Sequence, residues 1–291
     1  MQPLTGKIAV VAGATRGAGR GIACMLGAAG ATVYCTGRSV RGQPATGNRP
    51  ETIEETAEMV TGYGGVGFPV QVDHTIEARV EALFARVRAE QGQLDILVND
   101  VWGGDALTDW GTPFWELAIE PGLLMQQRGV HSHIITSRYG VPLMLEHQRG
   151  LIVEITDGDT FAYRDNLFYD LAKTSVIRLA YAMAQELRPH NITALAVTPG
   201  FLRSEAMLDH FGVTETNWQE GAKHDPHFIA SETPYYIGRA IAALAADQHV
   251  ADKSGGVFSS WRLATEYGFT DIDGRKPDWG KHFAEHVQNA A

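Results

Sequence analysis

Tyr169 and Lys173 stand four residues apart in Tyr169–Arg188, a segment whose apolar periodicity predicts a helix. At that spacing both side chains leave one face. A phenol ionises at about pH 10, and a neighbouring ammonium favours the phenolate, so the pair suits proton exchange with a substrate oxygen near neutral pH. Twelve residues before Tyr169, where the apolar run Leu151–Thr156 ends, stands an acid, Asp157. Near the N-terminus, "AGATRGAGRGIA" places Gly13, Gly17 and Gly19 in the spacing G-x-x-x-G-x-G, with Thr15, Arg16 and Ala18 between them. Glycines there let the backbone turn tightly against a pyrophosphate, whose charge is met by N–H groups opening the next helix.

These residues need a scaffold, and the hydrophobic pattern supplies one. Strand-like runs at Lys7–Ala12, Ala31–Thr36, Val66–Val72, Leu94–Val98, Leu151–Thr156, Ile192–Thr198 and Gly256–Ser260 alternate with helix-length stretches such as Thr75–Gln91 and Leu123–Leu145. Continuous apolar strands with helical crossovers predict an α/β fold, a Rossmann-type doubly wound parallel sheet of about seven strands covered on both faces. With 291 residues, 44% of them hydrophobic, the chain is expected to form a single domain, 1–291. Two stretches break the pattern: the Gly/Pro/Arg-rich Gly37–Glu51 and the mixed segment 201–232, expected to be a substrate loop. Residues 262–291 are expected to form a C-terminal extension packed on the surface.

A formal charge of −10 and no long Lys/Arg run argue against nucleic acid and anionic membranes as partners and leave a small-molecule substrate. Cys24 and Cys35 read as buried thiols rather than a disulfide or metal pair, which fits a reducing cytosol. With no secretory pattern at the N-terminus and no long apolar span, the expected location is cytoplasmic. The second strand ends in Thr36-Gly37, without the acid that would take the ribose 2′-OH of NAD, and Arg38 follows at once. Arg38 and Arg16 match a 2′-phosphate, so NADP is expected over NAD; Arg41 and Arg49 are secondary candidates.

With the Gly loop, the Tyr-x-x-x-Lys helix and segments such as "ATVYCTGR" and "SGGVFSSWRLATEYGFTDIDGR", the sequence resembles the short-chain dehydrogenase/reductase family over nearly its whole length. The resemblance implies reversible hydride transfer between a nicotinamide and a carbonyl or alcohol carbon. Tyr169 would serve as acid or base, with Lys173 holding the ribose and lowering the phenol's pKa. It further implies that Asp73 meets the adenine and that Asn99 opens the loop along the adenine ribose. Thr198-Pro199-Gly200, followed by Phe201, resembles the turn beside the carboxamide, and Ser204 replaces the usual Thr.

Three departures from the family pattern stand out. The loop after the fourth strand reads "NDVWG", Asn99 to Gly103. The amide that supports the proton relay aligns with Gln127. The Ser that hydrogen-bonds the substrate oxygen aligns with Asp157. An ionised carboxylate only accepts hydrogen bonds and repels a developing oxyanion. Three readings therefore stand open: Asp157 is a protonated donor; Thr156 or Thr160 supplies the hydroxyl; or the substrate is cationic, as an iminium is. Beside them stands a loop acid of no catalytic importance. His131 and His133 lack acidic partners at ligand spacing and read as helix-face residues, and no metal is expected. Trp102, Trp110, Phe114, Trp115 and Phe201 suggest an apolar or aromatic substrate. The faces of Leu123–Leu145 and Tyr169–Leu187 suit a homodimer or homotetramer. Carbonyl reduction with NADPH is the leading expectation, followed by C=N reduction through Asp157 and by a catalytically weak cofactor-binding sensor or scaffold, against which the intact Tyr169 and Lys173 argue.

Overall fold

The first strand, β1 (Ile8–Ala12), is apolar and buried throughout, so both faces of its sheet must be covered. The computed structural model, which describes residues 2–45 and 49–287, shows how. The strands β2 (Thr32–Gly37), β3 (Val66–Gln71), β4 (Ile96–Asn99), β5 (Gly150–Ile155), β6 (Ile192–Thr198) and β7 (Val257–Ser259) join β1 in a parallel sheet of order β3-β2-β1-β4-β5-β6-β7. This is the expected doubly wound Rossmann sheet, and each strand overlaps the apolar run that predicted it.

The helices are α1 (Gly17–Ala28), α2 (Ile53–Gly62), α3 (Glu77–Gln91), α4 (Ile119–Gln126), α5 (Ser132–His147), α6 (Leu167–Leu187), α7 (Glu205–Phe211), α8 (Pro234–Ala246), α9 (Ser260–Tyr267) and α10 (Trp279–His286). The two-residue period of β1 sends Ala9 and Val11 against Ile22 and Leu26 of α1 and Ile237 and Ile241 of α8. Ile8 and Val10 go to the other face, with Val80 and Phe84 of α3, Leu143 and Met144 of α5, and Ala184 and Leu187 of α6. Strand order reverses between β1 and β4, where Ala12 pairs with Asn99. Chain leaving these two strands diverges and opens the crevice in which such sheets bind ligands. Among the described residues no helix is long and apolar enough to cross a membrane.

The structure departs from the sequence reading in three places. The expected single helix Leu123–Leu145 is α4 and α5 joined by a π turn, Gln127–His131. Segment 201–232 is not one loop, for it holds α7 and two 3-10 turns, Trp218–Lys223 and Pro226–Ala230. The C-terminal extension is not confined to the surface: Leu263 and Ala264 are fully buried, Leu263 within the α1 layer, and buried Asp271 accepts hydrogen bonds from Thr233 N and Oγ1. Arg203, 1% exposed, pairs with Glu215 and Asp273 and lies 4.1 Å from the Trp218 ring centroid, which Arg275 approaches to 4.4 Å. Cation–π and ionic contacts thus join segment and tail. Residues 46–48 of the Gly37–Glu51 stretch and 288–291 of the extension lie outside the described residues.

Glu232 pins the Pro199-Gly200 turn. Its Oε2 accepts hydrogen bonds from Gly200 N at 3.0 Å and Ser260 Oγ at 2.5 Å, while Oε1 is buried without a hydrogen-bond partner among the described residues. Burial pushes this carboxyl up to about 8. An unfolded Glu titrates near ~4.3, so the contribution is full below that pH and is lost as pH rises through about 8. Glu232→Gln should therefore flatten a decline in Tm that wild type shows from about pH 4.5 to 8.5. Parallel Tm curves for the two proteins would refute this assignment.

Candidate active site

The glycine loop follows β1 and turns hard against the chain leaving β4. Gly13 has φ +91°, and a methyl group there would lie 2.4 Å from Asp100 O; one at Gly19 would lie 2.3 Å from Gly13 O. Only glycine fits at both. Thr15 and Ala18 are buried within the loop and first helical turn. Gly17 N, an unsatisfied donor at the start of α1, donates to Glu205 Oε2 at 2.8 Å, and Glu205 Oε1 is 3.5 Å from Arg20 Nη1. Ser204 caps α7 by accepting from Met207 N. Asp100 receives the Gly19 N–H and faces Lys173 and His133, yet burial pushes its carboxyl up to about 7.

At the adenine end, Arg16 Nε pairs with Glu51 at 3.0 Å, and Arg49 bridges Glu51 at 2.7 Å and Asp209 at 2.9 Å. Arg16 thus meets an acid through Nε, while its buried Nη2 has no hydrogen-bond partner among the described residues. Arg38 follows β2 directly, beside Asp73 and Arg128. Burial opposes ionisation of Asp73, but the Thr75 hydroxyl, the Thr75 N–H and Arg38 outweigh it and hold the carboxyl below its usual range. Arg128, which the sequence reading passed over, donates to Gly103 O at 2.9 Å.

The helix that carries Tyr169 and Lys173 is started by Asn166. Its Oδ1 accepts from Phe168 N and Tyr169 N to start α6, and its Nδ2 donates to Asp109 O at 2.9 Å. Tyr169 Oη donates to Asp157 Oδ2 at 2.8 Å. Burial and then the Asp157 charge push the phenol well above its ordinary pKa. Lys173 Nζ lies 4.0 Å from the Trp102 ring centroid and 5.5 Å from that of Tyr169, and burial lowers its own pKa. Trp102 packs edge-on to Tyr169 at 5.4 Å, its Nε1 donates to Asp105 at 2.6 Å, and Trp110 meets Tyr169 at 5.1 Å.

Of the two hydroxyls considered beside Asp157, that of Thr156 is already used as a donor. Thr156 Oγ1 is spent on Lys173 O at 2.8 Å, and Thr160 accepts from Ala162 N in an exposed loop. Arg164 organises that loop by donating to Asp157 O and Thr160 O and pairing with Asp170. Gln127 is exposed, and among the described residues no hydrogen bond joins it to Lys173; neighbouring Gln126 instead donates to Phe168 O at 2.7 Å. Phe201 is taken up by Phe228 and Trp279 at ring distances of 5.3 and 5.6 Å.

Beneath the site lies a network the sequence reading missed. Glu154 is fully buried on β5; it accepts from Asn99 Nδ2 at 2.7 Å and lies 2.6 Å from His133 Nδ1. His133 Nε2 meets Val101 O at 3.0 Å. His133, expected on a helix face, is instead buried against an acid, and Asn99 Nδ2 donates to Glu154 Oε1 and Ser137 Oγ. The one available signal was an acid interrupting "LIVEIT". His74 sits between Thr36 Oγ1 and Thr136 Oγ1, each at 2.8 Å, and burial lowers its pKa to about 3.

Residues 7–211 match the short chain dehydrogenase family. The chain belongs to this family. It is 36% identical over 278 residues to dehydrogenase/reductase SDR family member 1 of Mus musculus, covering 94% of this chain and 85% of that protein; the Homo sapiens protein is 35% identical over 277 residues, with the same coverage. The 3-oxoacyl-[acyl-carrier-protein] reductase FabG of Escherichia coli is 30% identical over 204 residues, 69% of this chain and 75% of that one. Among solved structures, a short chain dehydrogenase of Mycobacterium thermoresistibile has a TM-score of 0.79 at 22% identity, covering 95% of this chain and 92% of its own. A 7α-hydroxysteroid dehydrogenase complexed with NADH and 7-oxo glycochenodeoxycholic acid has a TM-score of 0.71 at 24% identity, covering 88% and 93%.

The family binds a nicotinamide dinucleotide, and the chain fits one. The cradle closed by Gly13 and Gly19 and the Gly17 N–H suit a pyrophosphate, and Asp73 and Arg38 frame the adenosine end. If the Asp157 charge holds the phenol up, Asp157→Asn should lower the Tyr169 pKa. The difference absorbance at 295 nm between Asp157→Asn and Asp157→Asn/Tyr169→Phe should then rise at lower pH than the difference between wild type and Tyr169→Phe. Coincident titrations would assign the shift to burial alone.

Proposed function

We propose that this chain is an NADP(H)-dependent oxidoreductase acting on a carbonyl or alcohol carbon of a small, apolar or aromatic substrate. The observation that carries this reading is the convergence of Tyr169 and Lys173 with the glycine cradle at one sheet edge, with Arg38 immediately after a β2 that ends without an acid. The nicotinamide, when bound, supplies or accepts hydride. Tyr169 Oη exchanges the proton with the substrate oxygen, and Asp157 Oδ2, 2.8 Å away, is the next proton site in line. In reduction a protonated Asp157 recharges the phenol; in oxidation the carboxylate drains it. Lys173 holds positive charge beneath the pair, and Trp102 and Trp110 keep water from the phenol.

A second reading, reduction of C=N bonds, is favoured by a specific feature: Asp157, Asp105 and Asp100 all act on Tyr169 or Lys173. That acid excess suits a cationic reacting centre. Exposed Leu123, Ile134, Leu171 and Tyr181 on α4, α5 and α6 support assembly as a homodimer or homotetramer. The proposed setting is cytoplasmic.

Calorimetry should show NADPH binding at least about tenfold more tightly than NADH, a difference of ~1.4 kcal/mol that Arg38→Ala erases. Equal affinities in wild type would refute the NADP assignment. Tyr169→Phe should abolish turnover while keeping cofactor binding. With paired ketones and cyclic imines, Asp157→Ser, whose hydroxyl can still relay a proton, should keep ketone reduction, and Asp157→Ala should lose roughly 100-fold or more, as for a missing general acid–base group. A selective loss of imine reduction in Asp157→Ser would establish the second reading instead. Indistinguishable profiles would reduce Asp157 to a loop acid.

A further inference from the structure

The N-terminus of α1 is built to receive an anion, yet in this structure an anion from the chain itself occupies it. Glu205 Oε2 takes the Gly17 N–H at 2.8 Å and Oε1 faces Arg20 at 3.5 Å, so the carboxylate meets the donor on which a pyrophosphate would rest. We propose that Glu205 is an internal competitor of the cofactor: it latches α7 over the phosphate loop, and a dinucleotide enters by displacing it. One N–H cannot serve two anions, and a phosphate beside this carboxylate would be repelled.

The rest of α7 is arranged to let go. A second polar tie, Arg49 to Asp209 at 2.9 Å, runs from the chain after β2 to the far end of the helix, with Asp209 70% exposed. None of the seven residues of α7 is fully buried; Met207, Leu208 and Phe211 only lean on the small Val213–Trp218–Phe228 cluster, apart from the main core. The Asp209 tie, on an exposed acid, exchanges for water at little cost, which leaves the Glu205 tie, 26% exposed at the acid, as the main hold. The latch therefore costs affinity in proportion to the closed fraction, because the apparent Kd is the intrinsic one divided by the open fraction.

The test titrates wild type, Glu205→Gln and Glu205→Ala with ADP, NADPH and NADH by calorimetry, and follows hydrogen exchange of residues 205–211 in wild type with and without saturating ADP. All three ligands should bind about tenfold more tightly to both variants, and α7 amides should exchange faster once ADP is bound. Unchanged or weaker binding in the variants overturns the latch. So does tighter binding without faster exchange, which would reflect charge alone. ADP lacks the nicotinamide and the 2′-phosphate, so its result is independent of whether the chain prefers NADP. The exchange measurement needs no variant to fold.

Discussion

A buried carboxylate organises the floor of the crevice. Glu154 sits in the middle of the sheet with no access to water, where an unpaired charge would be prohibitive, so its partners are fixed by necessity. Asn99 from the neighbouring strand and His133 from α5 supply them. His133 lies within hydrogen-bond distance of an oxygen at both ring nitrogens, Glu154 Oε2 and Val101 O, so the carbonyl of residue 101 is held in place. The next residue is Trp102, which covers Lys173 and touches Tyr169. An interaction two layers below the catalytic pair thereby sets how that pair is roofed.

Above that floor the site holds several acids beside the phenol and the ammonium. Tyr169 is held as a neutral donor to Asp157, and Asp100 is pushed into the physiological range at the cofactor cradle. Lys173 is the cation both acids face. Its charge is shared between two carboxyls and an indole, while burial and then the Asp157 charge set the direction of the phenol's shift.

The sheet was legible because its strands are long apolar runs buried on both sides, a pattern that survives without tertiary context. The positions of Gly13, Gly17, Gly19, Tyr169 and Lys173 were legible because backbone conformation and helical spacing fix them. What could not be read were contacts that depend on elements far apart in the chain. Glu205 meets Gly17 across 188 residues, and Glu51 meets Arg16 across 35. The tail was misjudged because its few apolar residues, Leu263 among them, are individually well buried yet too sparse to form a periodic signal.

The π turn between α4 and α5 uncouples two demands on one continuous rod. An α-helix assigns each residue a fixed bearing, so any requirement at the end that supports Tyr169 would rotate every position behind it. By taking up slack between Gln127 and His131, the turn lets α5 keep Leu143 and Met144 in the core while α4 and Arg128 are oriented by the loop they hold. The crevice end of the rod can be re-aimed, and the core end need not follow.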